Sequence, residues 1–283
     1  MMPTIGVIAA NSKPEAHALA ADVVPWLEAQ GCRVVNETAL IAGAPADVLV
    51  TFGGDGLIMR IAHLLPDVPI LGINVGKVGF LARTQREDWR RALSRLIAGD
   101  YTVEESPTLT ATLQRGGVEI EREWAINDVV IRSAMQMIEV ELYIDQQFVN
   151  TYPGDGMIVA TPQGSTAYGM AAGGPVLAAG VGGFAVVPIC AHSPIRTTLV
   201  VPESALIELV VATERSSRVI LDGVPQQPLE GGDVVQVQRG AHRFQLIVLE
   251  GMNFYEAFRT KFNFMIRPGA VPTRGRTTDS GPR

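Results

Sequence analysis

Gly53-Gly54-Asp55-Gly56 sets one carboxylate among three glycines. Glycine tolerates positive φ and lets a ligand come close to the backbone. Free N–H groups at a helix start hold phosphate oxygens. A carboxylate among such amides can take a proton from a hydroxyl or help to hold Mg²⁺. The plainer alternative is a tight turn whose aspartate caps the next helix. A second stretch runs from Gly154-Asp155-Gly156 through an apolar segment to Thr161-Pro162-Gln163-Gly164-Ser165-Thr166-Ala167-Tyr168. Ser165 and Thr166 suit polar ligand atoms, and Tyr168 offers a base its ring face or its hydroxyl. The same Ser-Thr pair would equally cap a short helix. In a third stretch, Asn127-Asp128 interrupts the apolar run Ala125–Ile131. Neighbouring strand residues point to opposite faces, so one of the two faces inward, which is costly unless it is paired or binds something. Sugar hydroxyls or base edges would fit; an Asn-Asp turn or bulge is the alternative.

Other candidates fail on spacing. Gly72-Ile73-Asn74-Val75-Gly76-Lys77 is one residue short of a P-loop and lacks Ser or Thr after the lysine. Gly164-Ser165 lacks the spacing of a nucleophile elbow. His17, His63, His192 and His242 are scattered, and only His192, beside Ser193, has a suggestive neighbourhood. Cys32 and Cys190 are the only cysteines, with neither metal-ligand spacing nor a disulfide framework.

The elements around these stretches predict an α/β fold followed by an all-β one. Apolar segments Ile5–Ala10, Cys32–Val35, Asp47–Phe52 and Pro69–Asn74 read as buried strands. Pro14–Gln30 and the segment after Gly56 read as helices, and Thr84-Gln85-Arg86-Glu87 as a capping box opening a helix that runs to about Ala98. Strands alternating with helices predict a doubly wound parallel sheet over residues 1–102, with the glycine turn at the edge where such sheets bind ligands. From about residue 103 to 251, strand follows strand: Thr108–Gln114, Val118–Glu123, Ala125–Arg132, Ile138–Ile144, Asp155–Ala160, Phe184–Ile189, Leu206–Val211, Arg218–Leu221, Val234–Gln238 and Phe244–Leu249. That order predicts a β-sandwich in which only Thr166–Ala172 is helical. A last helix over about 252–266, striped by Tyr255, Phe258 and Phe262, would pack back on the first domain, and 267–283 reads as a disordered tail.

Composition narrows the function. The 283 residues are 47% hydrophobic and carry a formal charge of −6, which argues against nucleic acid or an anionic membrane as the main partner. No stretch is long and apolar enough for a membrane helix, because Pro188, His192, Pro194 and Arg196 break the nearest one. The start reads as a strand rather than a leader, and the cysteine usage fits a reducing cytoplasm.

Taken together, these stretches resemble the NAD kinase family over about Ile5 to Phe264. The carriers are Gly53-Gly54-Asp55-Gly56, Gly72-Ile73-Asn74-x-Gly76-x-x-Gly79-Phe80-Leu81, Asn127-Asp128, Gly154-Asp155-Gly156, Thr161 to Tyr168 and Gly173-Gly174-Pro175. The Pro188 to Pro202 stretch is similar as well. A GGDG turn alone is shared with lipid kinases and phosphofructokinases; the full set in this order is specific. The resemblance implies transfer of the ATP, or polyphosphate, phosphoryl group to the 2′-hydroxyl of the adenosine ribose of NAD, in a dimer or tetramer. Mg²⁺ or another divalent cation would be carried mainly by the nucleotide, with no metal site in the protein. It implies Asp55 as general base and Gly53, Gly54 and Gly56 along the phosphates. Asp55, Gly56, Asn127 and Asp128 would contact NAD, and Asp155 its nicotinamide end. Thr166, Ala167, Tyr168, Gly169, Met170 and Ala171 would line the adenosine pocket. Departures are Leu57 for the usual Thr, Asp128 for Glu, Gln163 for Thr, Pro153 for Arg and Val224 for Gln. They bear on donor preference and NAD affinity. The alternatives are a kinase for another hydroxyl acceptor and a non-catalytic dinucleotide sensor.

Overall fold

The first apolar segment becomes the middle of a parallel sheet. In the computed structural model, which describes residues 2–76, 79–133, 135–192, 196–250, 254, 255, 257–259 and 261, β1 (Thr4–Ala9) lies between β2 (Arg33–Asn36) and β3 (Val48–Gly53). β4 (Ile70–Asn74) follows β3, and the two-residue β5 (Thr84–Gln85) closes on the end of β4; all these pairs are parallel. Helix α1 (Pro14–Ala29) is followed by the short α2 (Glu37–Ile41), α3 (Asp55–Leu64) and α4 (Trp89–Ala98). Val23 and Leu27 of α1 and Leu93 and Leu96 of α4 pack against Val50 and Phe52 on one face of the sheet. Leu40 of α2 and Ile58 and Ile61 of α3 pack against Ile8 and Leu49 on the other. Helices on both faces make the sheet doubly wound, as the alternating pattern predicts.

The capping-box reading of Thr84–Glu87 is corrected. Thr84 is buried in a parallel pair with Ile73, residues Arg86–Asp88 form a 3-10 turn, and the α-helix begins only at Trp89. Pairing to the sheet end takes the residues that a cap would need.

The remaining strands are β6 (Thr102–Arg115), β7 (Val118–Ala125), β8 (Asp128–Arg132), β9 (Ile138–Ile144), β10 (Gln147–Gly154), β11 (Gly156–Ala160), β12 (Gly183–Ile189), β13 (Leu199–Pro202), β14 (Ile207–Val211), β15 (Ser217–Leu221), β16 (Val224–Leu229) and β17 (Val234–Val248). Helix α5 (Tyr168–Ala171) lies between β11 and β12, after a 3-10 turn at Gly164–Thr166. One sheet runs β13-β12-β11-β8-β15-β16. Leu109, Val140, Leu209 and Val235 of the other sheet face Val129, Met157, Val186 and Val219 of this one, so the two form a sandwich.

Two expected strands, Val234–Gln238 and Phe244–Leu249, are one. β17 runs through both, with a bulge where Arg239 and Arg243 meet β6. The consequence is large. The half of β17 that includes Gln236 pairs with β14, while Leu246 pairs with Ile70 of β4, so a single path runs β10-β9-β14-β17-β4-β3-β1-β2. β6 follows β17 along its whole length. The parallel sheet and one layer of the sandwich are therefore hydrogen-bonded into one another. β10, β13, β16 and α2 have no counterpart in the sequence reading; Pro153, Pro202 and Pro225 lie in the first three, where proline argues against a strand except at a sheet edge. β10, β13 and β16 are edge strands.

Of the predicted last helix, Phe254, Tyr255, Ala257, Phe258, Arg259 and Lys261 are helical, and the Lys261 ammonium lies 3.9 Å from the Phe80 ring centre. The predicted tail lies outside the described residues. Among the described residues no helix is long and apolar enough to cross a membrane.

A sheet shared in this way should melt as one unit. Calorimetry is expected to give a single heat-absorption peak with equal calorimetric and van't Hoff enthalpies. Two resolved peaks would show that the halves unfold separately.

Candidate active site

Asp55 is the first residue of α3, set there by the glycine turn at the end of β3. Its carboxylate turns back toward the loop after β4. Oδ2 accepts the Phe80 N–H at 2.7 Å, and Oδ1 accepts those of Leu81 and Ala82 at 3.1 Å each. Gly79 makes this approach possible, since a Cβ there would lie 1.9 Å from Asp55 Oδ1. The aspartate thus ties two sequence motifs together. A carboxylate offers about four acceptor positions, and three amides leave one open. Around Gly54 and Gly56 the space is open: a Cβ at either would meet nothing within 4 Å. The chain itself does not require glycine at these two positions. Beside the turn, Asn74 pairs with Gly53 across the strands, and its Oδ1 is buried with no hydrogen-bond partner.

Asn127-Asp128 lies where the chain leaves one sheet for the other. β7 ends at Ala125 in the first sheet and β8 begins at Asp128 in the second. The single strand expected over Ala125–Arg132 is therefore broken, and its orphaned amides are taken by a residue the sequence reading gave no role. Asp222 accepts the N–H groups of Ile126 at 2.7 Å, Asn127 at 2.7 Å and Asp128 at 3.0 Å. It can do so because Asp222-Gly223 is the two-residue turn between β15 and β16, with φ of 49° and 82°. His63 Nε2, on α3, lies 2.8 Å from Asp222 Oδ2. The His63 ring also packs at a tilt on Trp124, which packs likewise on His242, whose Nδ1 meets Asp67 at 2.8 Å. Two histidines described as scattered are thus neighbours of one tryptophan. His192 is exposed and joins none of these groups.

The third stretch is held to the second. Thr161 Oγ1 donates to the Ile126 carbonyl at 2.7 Å and accepts the Gly164 N–H at 3.0 Å. A Cβ at Gly164 would sit 2.0 Å from the Asn127 carbonyl oxygen. Ser165 is corrected from a candidate ligand group to a structural one. It is fully buried, donates to Pro162 O at 2.7 Å and accepts Leu177 N–H at 2.9 Å. Neither it nor Thr166 caps α5. Ala167 and Ala171 are exposed, Tyr168 and Met170 less so, Thr166 is buried, and Gly169 is buried against Ala160 of β11. Asp155 stands apart. Gly156 pairs with Arg132 and Ala160 with Asp128, so Asp155 and Asp128 lie at opposite ends of the β11–β8 ladder.

Asp128 is buried, and its carboxyl has no hydrogen-bond partner among the described residues. Burial, and then the charge of Asp222, push its pKa up to about 7 from an ordinary 3.8. Asn127 Oδ1 is likewise buried and unpaired. Unpaired buried polar groups call for a ligand or a cost. Among the described residues no group of three or more His, Cys, Asp or Glu is placed to hold a metal.

The raised pKa fixes a pH effect. Between about 4 and 7 the folded chain holds a proton on Asp128 that the unfolded chain has lost, so stability falls as pH rises through that window. Asp128→Asn is expected to flatten this slope, matching wild type near pH 4 and exceeding it by about 2–4 kcal/mol at pH 8. Urea titrations at the two pH values check it; equal slopes would contradict it. Asp222→Asn sets an amide NH₂ against donors and is expected to cost about 2–4 kcal/mol. An unchanged urea midpoint would show that the 126–128 amides do not depend on it.

Comparison with known proteins gives the family. The ATP-NAD kinase N-terminal domain family matches residues 40–101, and the ATP-NAD kinase C-terminal domain family matches residues 126–249. An NAD kinase of Thermomicrobium roseum is 61% identical over 287 residues, covering 100% of both chains. One from Heliobacterium modesticaldum is 34% identical over 92% of this chain and 98% of its own. Among solved structures, yeast NADH kinase complexed with NADH has the same fold, with a TM-score of 0.82 at 19% identity, covering 96% of this chain and 90% of its own. An NAD kinase from Archaeoglobus fulgidus in complex with ATP gives a TM-score of 0.71 at 26% identity, over 92% of this chain and 97% of its own. Matched by family along both halves and by a relative along its whole length, the chain belongs to the NAD kinase family.

Proposed function

We propose that this NAD kinase transfers the γ-phosphoryl group of ATP to the 2′-hydroxyl of the adenosine ribose of NAD at the crevice between the Gly53–Gly56 turn and the 126–128 crossover. The observation that carries the reading is the setting of Asp55, a carboxylate with one acceptor position left, between two glycines around which the space is open. The 2′-oxygen attacks the γ-phosphorus, the bond to the β–γ bridging oxygen breaks, ADP leaves, and the hydroxyl proton passes to Asp55. In such loose transition states positioning counts for more than the base. Asn127 and Asp128 supply it, with an unpaired amide oxygen and a carboxyl that is half-protonated near neutrality and so can donate or accept. Gly54 and Gly56 leave room for phosphates at the helix start, while Gly53, packed against Leu57 and Ala10, brings the backbone of the turn to them. Thr166 to Ala171 line the adenosine side through Ala167, Tyr168, Met170 and Ala171, while Gly169 packs the helix onto the sheet. Asp155 belongs to the nicotinamide end.

A divalent cation brought in with the nucleotide would neutralise charge on the phosphates beside the Gly53–Gly56 turn. Exposed Phe148 and Val149 on β10 and Val200 on β13 favour a homo-oligomer, because both strands are sheet edges. The cytoplasm suits a chain with two free cysteines.

The test is NADP formation from NAD with Mg²⁺ and ATP, with polyphosphate as a second donor. Asp55→Asn is expected to lower kcat by about 10²–10⁴. Gly56→Ala is expected to keep or raise the melting temperature, since alanine suits a helix by about 0.5–1 kcal/mol, yet to lower kcat/KM at least about tenfold by filling the phosphate space. NADP formation that survives both changes would remove the glycine turn from the chemistry.

A further inference from the structure

Arg132 of β8 and Arg218 of β15 stand directly opposite one another in their antiparallel ladder. Like charges so placed repel. Neither guanidinium has a carboxylate partner among the described residues, in a protein whose formal charge is −6. With Ser216, Ser217, Ile220 and Pro228 they line a concavity of about 470 Å³. Ser217 is buried and its hydroxyl has no partner. Repulsion and missing counter-charge in one hollow mark a place for an anion, while the Ser217 hydroxyl shares the core-facing side of Val219 and Leu221.

Register shows which anion. Asp128, Val130 and Arg132 alternate along β8 and so share one face. Ile220 lies opposite Val130 on that face, and Tyr168 packs against the cluster they belong to. The Arg132 guanidinium carbon is 5.9 Å from the Tyr168 ring centre. Asp128 and Arg132 are four residues apart, about 13 Å along a strand. Gly156 lies directly opposite Arg132 in the next strand, with Asp155 one residue further on. From Asp128 this face runs past Tyr168 to the arginine pair, and Asp155 follows at the end of the ladder. A dinucleotide has the same order of parts: nucleoside, diphosphate, nucleoside.

We propose that Arg132 and Arg218 hold the diphosphate of NAD, between an adenosine end at Asp128 and Tyr168 and a nicotinamide end at Asp155. This rests on the placement of the adenosine ribose argued above. Guanidinium groups meet phosphate oxygens in bidentate pairs that an ammonium does not match, and the substrate would supply the counter-charge the fold lacks.

The experiment compares Arg132→Gln, Arg218→Gln, the double variant and Asp128→Asn, with NAD and with adenosine, which has no diphosphate. KM for NAD is expected to rise about tenfold in each arginine variant and more in the double one, with a smaller change in kcat. Adenosine affinity, by calorimetry, is expected to stay within about twofold of wild type, and the rise of KM with added salt to flatten. A double variant whose KM for NAD stays within about twofold of wild type overturns the proposal. So does an equal loss of adenosine affinity, which would show that the arginines act through the fold. Sedimentation covers the remaining source of negative charge: smaller particles with an unchanged KM would make the pair a contact with a second copy and overturn the assignment. Asp128→Asn separates the two readings. If it weakens both ligands while the arginine variants weaken neither, only the diphosphate assignment fails; if it weakens neither, the adenosine placement fails.

Discussion

Three consecutive amides without a strand partner are the constraint from which the rest of the site follows. Where the chain passes from β7 in one sheet to β8 in the other, Ile126 and Asn127 belong to neither ladder and Asp128 opens β8 opposite Ala160, and the N–H groups of all three must be met from outside the strands. Asp222 meets all three from a hairpin turn, and its charge makes each of these bonds stronger than a neutral one. Because the same carboxylate also takes His63 of α3, the crossover is fixed to the helix whose first residue is Asp55. Asp55 in turn holds the 80–82 loop. Two aspartates, each closing a run of three amides, thus set the geometry between the glycine turn and the Asn127-Asp128 pair.

That arrangement separates the roles of neighbouring carboxyls. Asp222 is surrounded by four donors, while Asp128, close enough to feel its charge, has burial and no donor. The second is pushed up to about 7 for that reason. Neighbouring acids in unlike environments are how one site keeps a fixed charge and a titratable group side by side.

Much of this was legible in the sequence, and what was not shares one cause. The parallel strands and the glycine turn are written in local apolar runs, so their places follow from a few consecutive residues. Asn127-Asp128 declared itself as a polar break, and the break is real. Asp222 did not, because its partners lie 94 to 96 residues away and an Asp-Gly pair looks like any hairpin turn. His63, Trp124 and His242 come together only because α3, β7 and β17 meet. β17 was divided in two because Gly240 and the polar residues around it at the bulge read as a loop, and the division hid the continuity of the sheet. Thr84 shows the reverse error: a local signal for a helix cap lost to a parallel pair with Ile73.

The glycines distinguish what the fold needs from what the ligand needs. At Gly79 and Gly164 a Cβ would strike Asp55 Oδ1 or the Asn127 carbonyl, so the folded chain alone demands glycine there. At Gly54 and Gly56 it would strike nothing. Fold stability gives no reason to keep a glycine in the first turn of a helix, where alanine is better. The reason must then be something that enters that space, and phosphates at a helix start are the chemistry that uses bare backbone. Leu57 sharpens the contrast. Its side chain packs against the cores on both faces of the sheet, so the residue next to Gly56 is held by the fold. Under the phosphate site proposed above, a methyl group added at Gly56 would cost the fold nothing and would stand where the amides of the turn hold the ligand.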